Sequence, residues 1–228
     1  MTENPKVINR PYVILNAAMS LDGKIATVSG NADFSSDADW KRVHKLRTKV
    51  DALMVGINTI LKDDPKIHIK HYTAKKLLRI IIDSKARTPL NAKVLQMDQN
   101  IYPTLIVVTK TAPESNIAKL KEKGAQIFEA GDGDRVDLKS LMVYLLNRRI
   151  SKILLEGGGN LNFSMLQEGL VDEVVIAIAP VIVGGKDAIT LIEGIGAESV
   201  QDGFQLEFKQ FELLGNNIVL HFFKKKSN

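Results

Sequence analysis

Residues 152–169 read KILLEGGGNLNFSMLQEG and contain the most informative junction in the chain. Ile153, Leu154 and Leu155 form a short apolar run, which is typical of a strand buried on both faces. The apolar residues that follow have the spacing of one helix face, and Gly169 would end that helix. They are Leu161, Met165, Leu166 and Leu170. The segment therefore predicts a buried strand, a turn and an amphipathic helix.

The turn in this segment consists of Glu156 followed by Gly157, Gly158 and Gly159. A glycine turn ahead of a helix leaves backbone N–H groups open, adds the positive end of the helix dipole and has no side chains that block a ligand. It indicates a cradle for an anion or a phosphate, although a plain tight turn has the same signature. The dinucleotide fingerprint GxGxxG is not met, because Asn162 takes the place of the third glycine. A standard Rossmann domain is therefore not supported.

Further apolar runs predict the rest of a sheet. Strands are expected at residues 12–19, 52–55, 79–82, 105–108, 125–128 and 173–180. Alternating apolar and polar residues at 205–211 and 218–223 predict an antiparallel hairpin. The pattern is that of an α/β protein with a mixed, mostly parallel sheet flanked by helices. Residues 1–228 read as one domain, because no linker, repeat or low-complexity stretch divides them.

Polar residues follow several predicted strands, at the edge where a parallel sheet forms its ligand crevice. A short helix after Gly56 leads to Asp63, Asp64 and Pro65, which could be a site or a mere stop and turn. The loop after the strand at 79–82 carries side chains that suit a phosphate, or that simply keep a loop soluble. They are Ser84, Lys85 and Arg87.

A helix is predicted behind the sequence Ser35-Ser36-Asp37, which reads as an N-cap. Its apolar stripe includes Trp40 and Val43, whereas Arg42 and Arg47 lie mostly on other faces. We expect these arginines to be solvated unless they belong to a motif.

Composition narrows the class of protein. With 45% hydrophobic and 25% charged residues, a chain of 228 residues is globular and long enough for a sizeable core. The absence of cysteine excludes disulfides, iron–sulfur clusters and thiol nucleophiles. The net charge of +5 does not indicate nucleic-acid binding, because the basic residues are scattered apart from a terminal run at 224–226 that reads as a solvated tail. A signal peptide and a membrane span are not recognised, so a cytoplasmic protein is expected.

The four histidines form no recognised zinc pattern, and a metal site is not expected. His68 and His71 are interspersed with Ile67 and Ile69 in a way that predicts a strand with polar residues on its surface.

Five motifs occur in an order that resembles a known family. They are NAAMSLDGK at 16–24, VGINTILKDDP at 55–65, DSK at 83–85, LEGGG at 155–159 and VDE at 171–173. The chain is similar over nearly its whole length to the reductases of riboflavin biosynthesis, which have the dihydrofolate-reductase-like three-layer fold. Many bacterial members are fused to a zinc deaminase. Since the chain has no cysteine for zinc and no preceding domain, it resembles the stand-alone archaeal and fungal members, which act before deamination.

The resemblance implies a reaction. NADPH, with NADH possible, would reduce the ribosylamino side chain of 2,5-diamino-6-ribosylamino-4(3H)-pyrimidinone 5′-phosphate to a ribitylamino chain. The sugar ring would open to an imine, and hydride would pass to C1′. The family's habit, together with the apolar strands near the C-terminus, also implies a homodimer.

The resemblance implies roles for residues at matching positions. Cofactor contacts would come from Ala18, Thr59, Asp63, Asp83, Ser84, Gly157, Gly158, Gly159 and Asn160. We expect Lys85 or Arg87 to favour the 2′-phosphate of NADPH. Substrate contacts would come from Asn16, Arg47, Lys70 and Glu156. Glu156 would position the substrate and Asp63 would move the proton. Bacterial relatives tend to have lysine at the position of Asn16 and arginine at that of Lys70.

Two other functions compete with this interpretation. One is dihydrofolate reduction on the same fold, against which residues 20–24 and 156–159 argue. The other is a protein that binds a pyridine nucleotide without catalysing a reaction. The presence of Asp63 and Glu156 argues against this alternative.

Overall fold

The computed structural model describes residues 10–225, which form one nine-stranded sheet with helices on both faces. The strands are β1 (Tyr12–Ser20), β2 (Ala52–Gly56), β3 (Leu78–Ile82), β4 (Thr104–Val108), β5 (Gln126–Glu129), β6 (Lys152–Leu155), β7 (Glu173–Ala179), β8 (Leu206–Leu214) and β9 (Asn217–Lys224). The helices are α1 (Asp37–Arg47), α2 (Ile57–Asp63), α3 (Lys93–Gln96), α4 (Glu114–Glu122), α5 (Leu138–Asn147) and α6 (Gly159–Gln167).

The strand order in the sheet is β5-β4-β3-β2-β6-β1-β7-β9-β8. Neighbouring strands from β5 to β7 are parallel, and β9 then pairs antiparallel with both β7 and β8. This arrangement confirms the predicted α/β class, the mostly parallel sheet and the C-terminal hairpin. β6 lies between β1 and β2, so that Leu155 is in register with both Leu15 and Met54. The carboxyl ends of β2 and β6 therefore lie beside the middle of β1.

The core has two layers of side chains, one on each face of the sheet. Leu53, Ile81 and Leu154 belong to the layer that packs under α2, α3 and α4. Leu15, Met54 and Leu155 belong to the opposite layer, which α5 and α6 cover. Because successive residues of a strand point to opposite faces, central strands buried on both sides consist almost wholly of apolar residues. The short apolar runs in the sequence have this origin.

The predicted cap of α1 is confirmed. Ser36 has an extended backbone, and its hydroxyl accepts a hydrogen bond from the N–H of Asp39 at 3.2 Å. Such a side chain supplies one acceptor for the helix N–H groups that lack an intrahelical partner. The cap fixes where α1 begins and hence which of its side chains reach the sheet.

The strand predicted around Ile67 and Ile69 is wrong. Residues 64–77 form an irregular loop in which Ile67 and His71 have positive φ angles of 43° and 65°. Both isoleucines are nevertheless buried in the core. Apolar alternation here reflects two side chains that anchor a loop rather than a strand. His68 is half-buried as a result, with its ring 6.1 Å from that of His44.

The hairpin differs from expectation in its burial. The apolar residues of the strands near the C-terminus have the look of buried positions in the sequence, but β8 lies at the edge of the sheet and nearly all of it is exposed. The terminal basic run falls partly outside the described residues, because Lys226 is not among them. Within residues 10–225, helices of the length and apolar character needed to cross a membrane do not occur.

Candidate active site

A cavity of about 1220 Å³ opens at the carboxyl ends of β1, β2 and β6. Its volume exceeds the roughly 300–1,000 Å³ of a usual small-molecule pocket, which suits two ligands side by side. The structure brings ten of the sequence-predicted residues to its wall. They are Asn16, Ala18, Thr59, Asp63, Ser84, Glu156, Gly157, Gly158, Gly159 and Asn160.

The first wall of the cavity, here called the glycine wall, consists of Gly157, Gly158 and Gly159. Two of these glycines are required by close packing. A Cβ atom on Gly157 would lie 2.5 Å from Oδ1 of Asn162, and one on Gly159 would lie 2.7 Å from the carbonyl oxygen of Thr190. Such distances are well inside van der Waals contact, so neither position has room for a side chain.

Gly158 is different, because protein packing does not require it to be glycine. Its φ of −83° is open to any residue, and described atoms lie no closer than 4 Å to the position of a Cβ atom. It lines the cavity and is the N-cap residue of α6, next to the N–H groups that begin the helix. A site with open space, backbone donors and the positive end of a helix dipole fits an anionic group such as a dinucleotide pyrophosphate.

The second wall, here called the arginine wall, consists of Asn16 and Glu156, which line the cavity, and of Arg42 and Arg47 of α1, which hold these two side chains without lining it. Arg47 donates from Nε and Nη2 to the two carboxylate oxygens of Glu156 at 3.1 and 2.6 Å, and from Nη1 to the carbonyl of His68 at 2.9 Å. Both side chains of the pair are largely shielded from water. A two-pronged, shielded ion pair of this kind fixes the carboxylate in place. Glu156 therefore presents a negative charge of defined orientation to the cavity.

Arg42 makes a corresponding contact with a side chain of β1, the strand next to β6. Its Nε donates to Asp39 at 2.7 Å, and its Nη2 donates to Oδ1 of Asn16 at 3.0 Å. Asp39 is completely buried and also accepts from the Ser35 hydroxyl at 2.7 Å. The sequence pattern predicts that both arginines are solvated, but Arg42 contacts Asn16 within β1 and Arg47 contacts Glu156 directly after β6.

Asp63 lies at the end of α2 and lines the cavity. Partial burial, which disfavours the charged form, raises its pKa above the usual range, and nearby Lys62 opposes this shift. Asp64 turns away from the cavity wall. It ends the helix in a left-handed conformation with φ of 40° and accepts a hydrogen bond from the N–H of Lys93 at 2.8 Å. The two neighbouring aspartates therefore do different things.

Several sequence-predicted residues do not line the cavity. Asp83 is completely buried, and its Oδ2 accepts from the N–H and the hydroxyl of Thr88, both at 2.8 Å. Lys85 contacts Asp134 at 2.5 Å, and Arg87 is mostly exposed with its Nε 3.8 Å from Asp83. These contacts organise the loop after β3, from which Ser84 alone of the predicted set reaches the wall.

Lys70 lies on the exposed side of the 64–77 loop and also stays outside the wall. α1 holds this loop at two points. Arg47 donates to His68 as described above, and the N–H of Lys70 donates to Nδ1 of His44 at 3.1 Å. His44 must be neutral to accept this bond. Burial, reinforced by the positive charge of Arg47 and by His68, His71 and Lys70, lowers the pKa of His44 to about 4.

Sequence reasoning missed three parts of the wall. Arg135 follows β5, Trp40 projects from α1 with 44% of its surface exposed, and residues 186–189 and 193–195 form a long connection after β7. The position of Arg135 just beyond a strand was the available signal. The long connection has no periodicity from which its path could be found.

The Ser20–Lys24 turn holds that long connection in place. Asp22 accepts hydrogen bonds from the N–H groups of Val183 and Gly184 at 3.0 and 2.7 Å and from the Ser20 hydroxyl at 2.6 Å. These bonds, with that to Ser20 the largest contribution, lower the pKa of Asp22 to about 2. The motif shapes the cavity through this clamp.

Fold and site together define an α/β oxidoreductase domain of the dihydrofolate-reductase-like class, with a glycine turn beside a fixed carboxylate. The chain belongs to the family described as the RibD C-terminal domain, whose model matches residues 11–220.

Relatives with assigned names support this membership. The chain is 46% identical over 216 residues to the 2,5-diamino-6-ribosylamino-4(3H)-pyrimidinone 5′-phosphate reductase of Methanothermobacter thermautotrophicus, which covers 93% of this chain and 98% of the relative. It is 36% identical to the enzyme of the same name from Archaeoglobus fulgidus, with 81% and 87% covered. The stand-alone type expected from the sequence is the type of these relatives.

Solved structures agree with the fold. Acinetobacter baumannii RibD has a TM-score of 0.81 and 25% identity, and the alignment covers 96% of this chain but 59% of that one. The chain therefore spans somewhat more than half the length of that RibD. A pyrimidine reductase-like protein of Corynebacterium diphtheriae, 22% identical with a TM-score of 0.81 over 96% and 94% of the two chains, shows the same fold.

Proposed function

We propose that the protein reduces 2,5-diamino-6-ribosylamino-4(3H)-pyrimidinone 5′-phosphate to its ribitylamino product with NADPH. The carrying observation is that one cavity joins the glycine wall to Glu156, a carboxylate fixed by Arg47. A cradle for the cofactor thus adjoins a charged group for the substrate. The name and near full-length coverage of the Methanothermobacter relative support this assignment. Because wall residues range from Asn16 to Ile195, we also propose that residues 1–228 act as one reductase domain.

The cofactor is held by residues at the strand ends. Gly157, Gly158, Gly159 and Asn160 cradle its pyrophosphate, with Thr59 and Ala18 nearby on the wall. When bound, the cofactor supplies hydride for C1′ of the substrate. The 2′-phosphate of the cofactor has three candidate cationic partners. Arg135 lines the cavity together with Ser84, and Lys85 and Arg87 lie on the loop behind it. A cation in this region favours NADPH, and NADH remains usable.

Asn16 and Glu156 on the wall bind the substrate, and Arg47 takes part by holding Glu156. Lys70 lies outside the wall, so its contact with the substrate would have to come from the 64–77 loop. Glu156 accepts hydrogen bonds from hydroxyl or amino groups of the substrate and stabilises positive charge on the nitrogen of the opened imine. In the reaction, the bond from C1′ to the ring oxygen breaks and that oxygen takes a proton. Hydride then adds to C1′, and the nitrogen keeps its proton. A protonated Asp63 is the proton donor for the ring oxygen, because its raised pKa retains the proton at a higher pH than that of an ordinary aspartate.

The protein acts as a homodimer through β8. This edge strand exposes 56% of Phe208, 63% of Phe211 and 69% of Leu213. A long apolar edge strand is prone to pair with another chain, and contiguous exposed apolar surface of this kind marks interaction sites. A second copy would cover it. Sedimentation at micromolar concentration should give a dimer, and Phe211→Glu with Leu213→Lys should give a monomer. A monomeric parent protein would contradict the proposal.

The reaction is tested by following absorbance at the nicotinamide band. The purified protein should oxidise NADPH with the ribosylaminopyrimidine phosphate and leave dihydrofolate unchanged. Mass spectrometry should show a product heavier by two hydrogens. Turnover of dihydrofolate would assign the other reductase activity, and cofactor binding without turnover of either compound would make the protein a nucleotide-binding protein.

A further inference from the structure

The middle of β1 has an amide, that of Asn16, whose orientation is set from outside the cavity. Asn16 is 6% exposed and lines the cavity, and its Oδ1 accepts a hydrogen bond from Nη2 of Arg42 at 3.0 Å. A guanidinium has only donors, so the opposite amide orientation would place two donors face to face. The oxygen of Asn16 must therefore face Arg42, and the NH2 group must face the other way.

The NH2 group of Asn16 is available to a ligand. Within residues 10–225 it donates to no protein acceptor, and it is not sealed from solvent as an unsatisfied buried group would be. Because Asn16 lies on the wall, its remaining direction is the cavity. A donor that is fixed in direction and has no protein partner gains most from a ligand oxygen.

Arg42 itself has little freedom. Its side chain is 13% exposed, and its Nε is 2.7 Å from Asp39, which is completely buried at the first turn of α1. Ser35 holds the other oxygen of Asp39 at 2.7 Å. The contacts form a chain from Ser35 through Asp39 and Arg42 to Asn16. Each bond has a charged partner or leads directly to one, and such bonds are stronger than neutral ones.

The neighbouring strand end has the complementary group. Leu15 pairs with Leu155, so Asn16 and Glu156 directly follow paired residues of adjacent parallel strands. Strands are spaced by about 4.8 Å, which allows one sugar to contact both side chains. Arg42 orients a donor and Arg47 orients an acceptor. The pattern suits a ribosyl group whose hydroxyls can both accept and donate.

We infer that Arg42 is a positioning residue, which turns the NH2 group of Asn16 towards an oxygen of the ribosyl group of the substrate. The inference rests on the proposed function for the identity of the substrate. It assigns to Arg42 no contact with the reacting atoms. It also explains how a neutral residue at position 16 acts as a defined donor.

The test is a double-mutant cycle with Arg42→Met and Asn16→Ala. Each single change should raise KM for the ribosylaminopyrimidine phosphate about tenfold, the effect of one lost hydrogen bond, and leave KM for NADPH and kcat within about twofold. The double variant should have the KM of Asn16→Ala, because Arg42 acts through Asn16. The inference would be overturned if the effects of the two changes on KM multiplied in the double variant, or if Arg42→Met had the same KM as the parent.

Two further variants keep the test valid if Arg42→Met destabilises the protein by leaving Asp39 buried without a partner. Asn16→Asp keeps the shape and the contact with Arg42 but has no N–H donor, so it should fold and still raise KM about tenfold. Arg10→Met is the matched control. Arg10 forms a similar pair with Asp172, with two bonds of 2.8 Å, next to the opposite end of β1, and its loss should not affect KM.

A failure of the proposed function can be distinguished from a failure of this inference. If the parent enzyme does not turn over the substrate, binding is read from Trp40, the only tryptophan, which lines the same cavity. Titration with ribose 5-phosphate as the probe should quench its fluorescence in the parent and in Arg10→Met, and should need about tenfold more probe in Asn16→Asp. Equal quenching in parent and Asn16→Asp would overturn the inference even in an inactive protein.

Discussion

The two walls of the cavity bind by opposite means. The glycine wall has no side chains and offers backbone N–H groups at the start of α6, whereas the arginine wall consists of long side chains held in ion pairs. A backbone cradle suits a group that many proteins share, such as a pyrophosphate. Side chains fixed in donor and acceptor roles suit one particular substrate. The difference predicts general recognition at the glycine wall and specific recognition at the arginine wall.

The difference between the two walls predicts which kinetic constant each mutation should change. Changes in the glycine wall should alter KM for the cofactor, and changes in the arginine wall should alter KM for the pyrimidine. A change in Asp63, which belongs to neither wall, should alter kcat. The predictions below test this division, beginning with the largest expected effect.

Asp63→Asn should lower kcat about 100-fold, since a positioned general acid typically contributes at least that much. The parent kcat should fall as the pH rises above the raised pKa of Asp63, and the variant should lack this dependence. Steady-state rates from pH 4 to 9 measure both effects. Asp64→Asn is the matched control, because Asp64 ends α2 without lining the cavity. Equal rates for the parent and Asp63→Asn would remove Asp63 from the chemistry.

Glu156→Gln keeps the shape of the side chain but removes the charge that faces Arg47. We expect kcat/KM for the pyrimidine to fall about 30-fold, equivalent to roughly 2 kcal/mol for a charge-assisted contact, while KM for NADPH stays the same. Asp172→Asn, in the ion pair next to the other end of β1, should leave both constants unchanged. A rise in KM for NADPH alone would assign Glu156 to the glycine wall instead.

Gly158→Ser should separate stability from cofactor affinity. Serine is a preferred N-cap residue, so the melting temperature should stay the same or rise. Its hydroxyl would occupy the space and the N–H groups that the cofactor needs, so KM for NADPH should rise about tenfold, the cost of one lost charge-assisted hydrogen bond.

Gly159→Ala is the counterpart of that variant within the same wall. Its Cβ atom would overlap Glu193 and the backbone of Thr190, so the free energy of unfolding should fall by about 1–3 kcal/mol. Thermal unfolding compares the two variants directly. Similar melting temperatures for both would show that the open space at Gly158 has no special role.

Cofactor selectivity should depend more on Arg135 than on the loop behind it. Arg135→Ala should raise KM for NADPH up to about tenfold and spare NADH, because a charge-assisted contact to the 2′-phosphate contributes roughly 1.5 kcal/mol or more. Lys85→Ala with Arg87→Ala should change the ratio of the two KM values less, since both cations already face aspartates. The reverse order would return the 2′-phosphate to Lys85 and Arg87.

The smallest expected effect concerns stability and involves His44, which holds the 64–77 loop to α1 through its bond from the N–H of Lys70. Its pKa is about 4 in the folded protein and 6.5 in a model peptide, so the unfolded chain binds the proton more readily. The stability linked to His44 is complete above pH 6.5 and is lost as the pH falls towards 4. His44→Asn keeps an acceptor for Lys70 and should lessen this loss in melting curves.

Most of the fold could be predicted from the sequence, because burial on both faces makes each central strand an apolar run that is visible without partners. The glycine turn was equally visible, since its backbone chemistry is encoded locally. The arginine wall was not. Periodicity shows that Arg47 lies off the apolar stripe, but the pairing with Glu156 joins residues 109 positions apart and depends on the order of the strands.

The loops were the other part that local patterns did not determine. The alternation around Ile67 anchors an irregular segment, and Lys85 lies near Asp134 because β3 and β5 both flank β4. A cation after a strand has the same sequence signature whether it binds a phosphate or a neighbouring loop. Only the three-dimensional arrangement separates the two.

The central position of β6 in the sheet has a consequence for how the chain folds during translation. Val13 and Ala52 emerge early from the ribosome, but both are in register with Ile153, and β1 and β2 are joined in the sheet only through that strand. Until residues 152–155 have been translated, β1 has no partner strand, β2 has one unpaired edge and the core is incomplete, a state prone to aggregation. Folding of such non-local parallel pairs is also slow. A truncated chain that stops before β6 should therefore be a substrate for chaperones rather than a smaller folded domain.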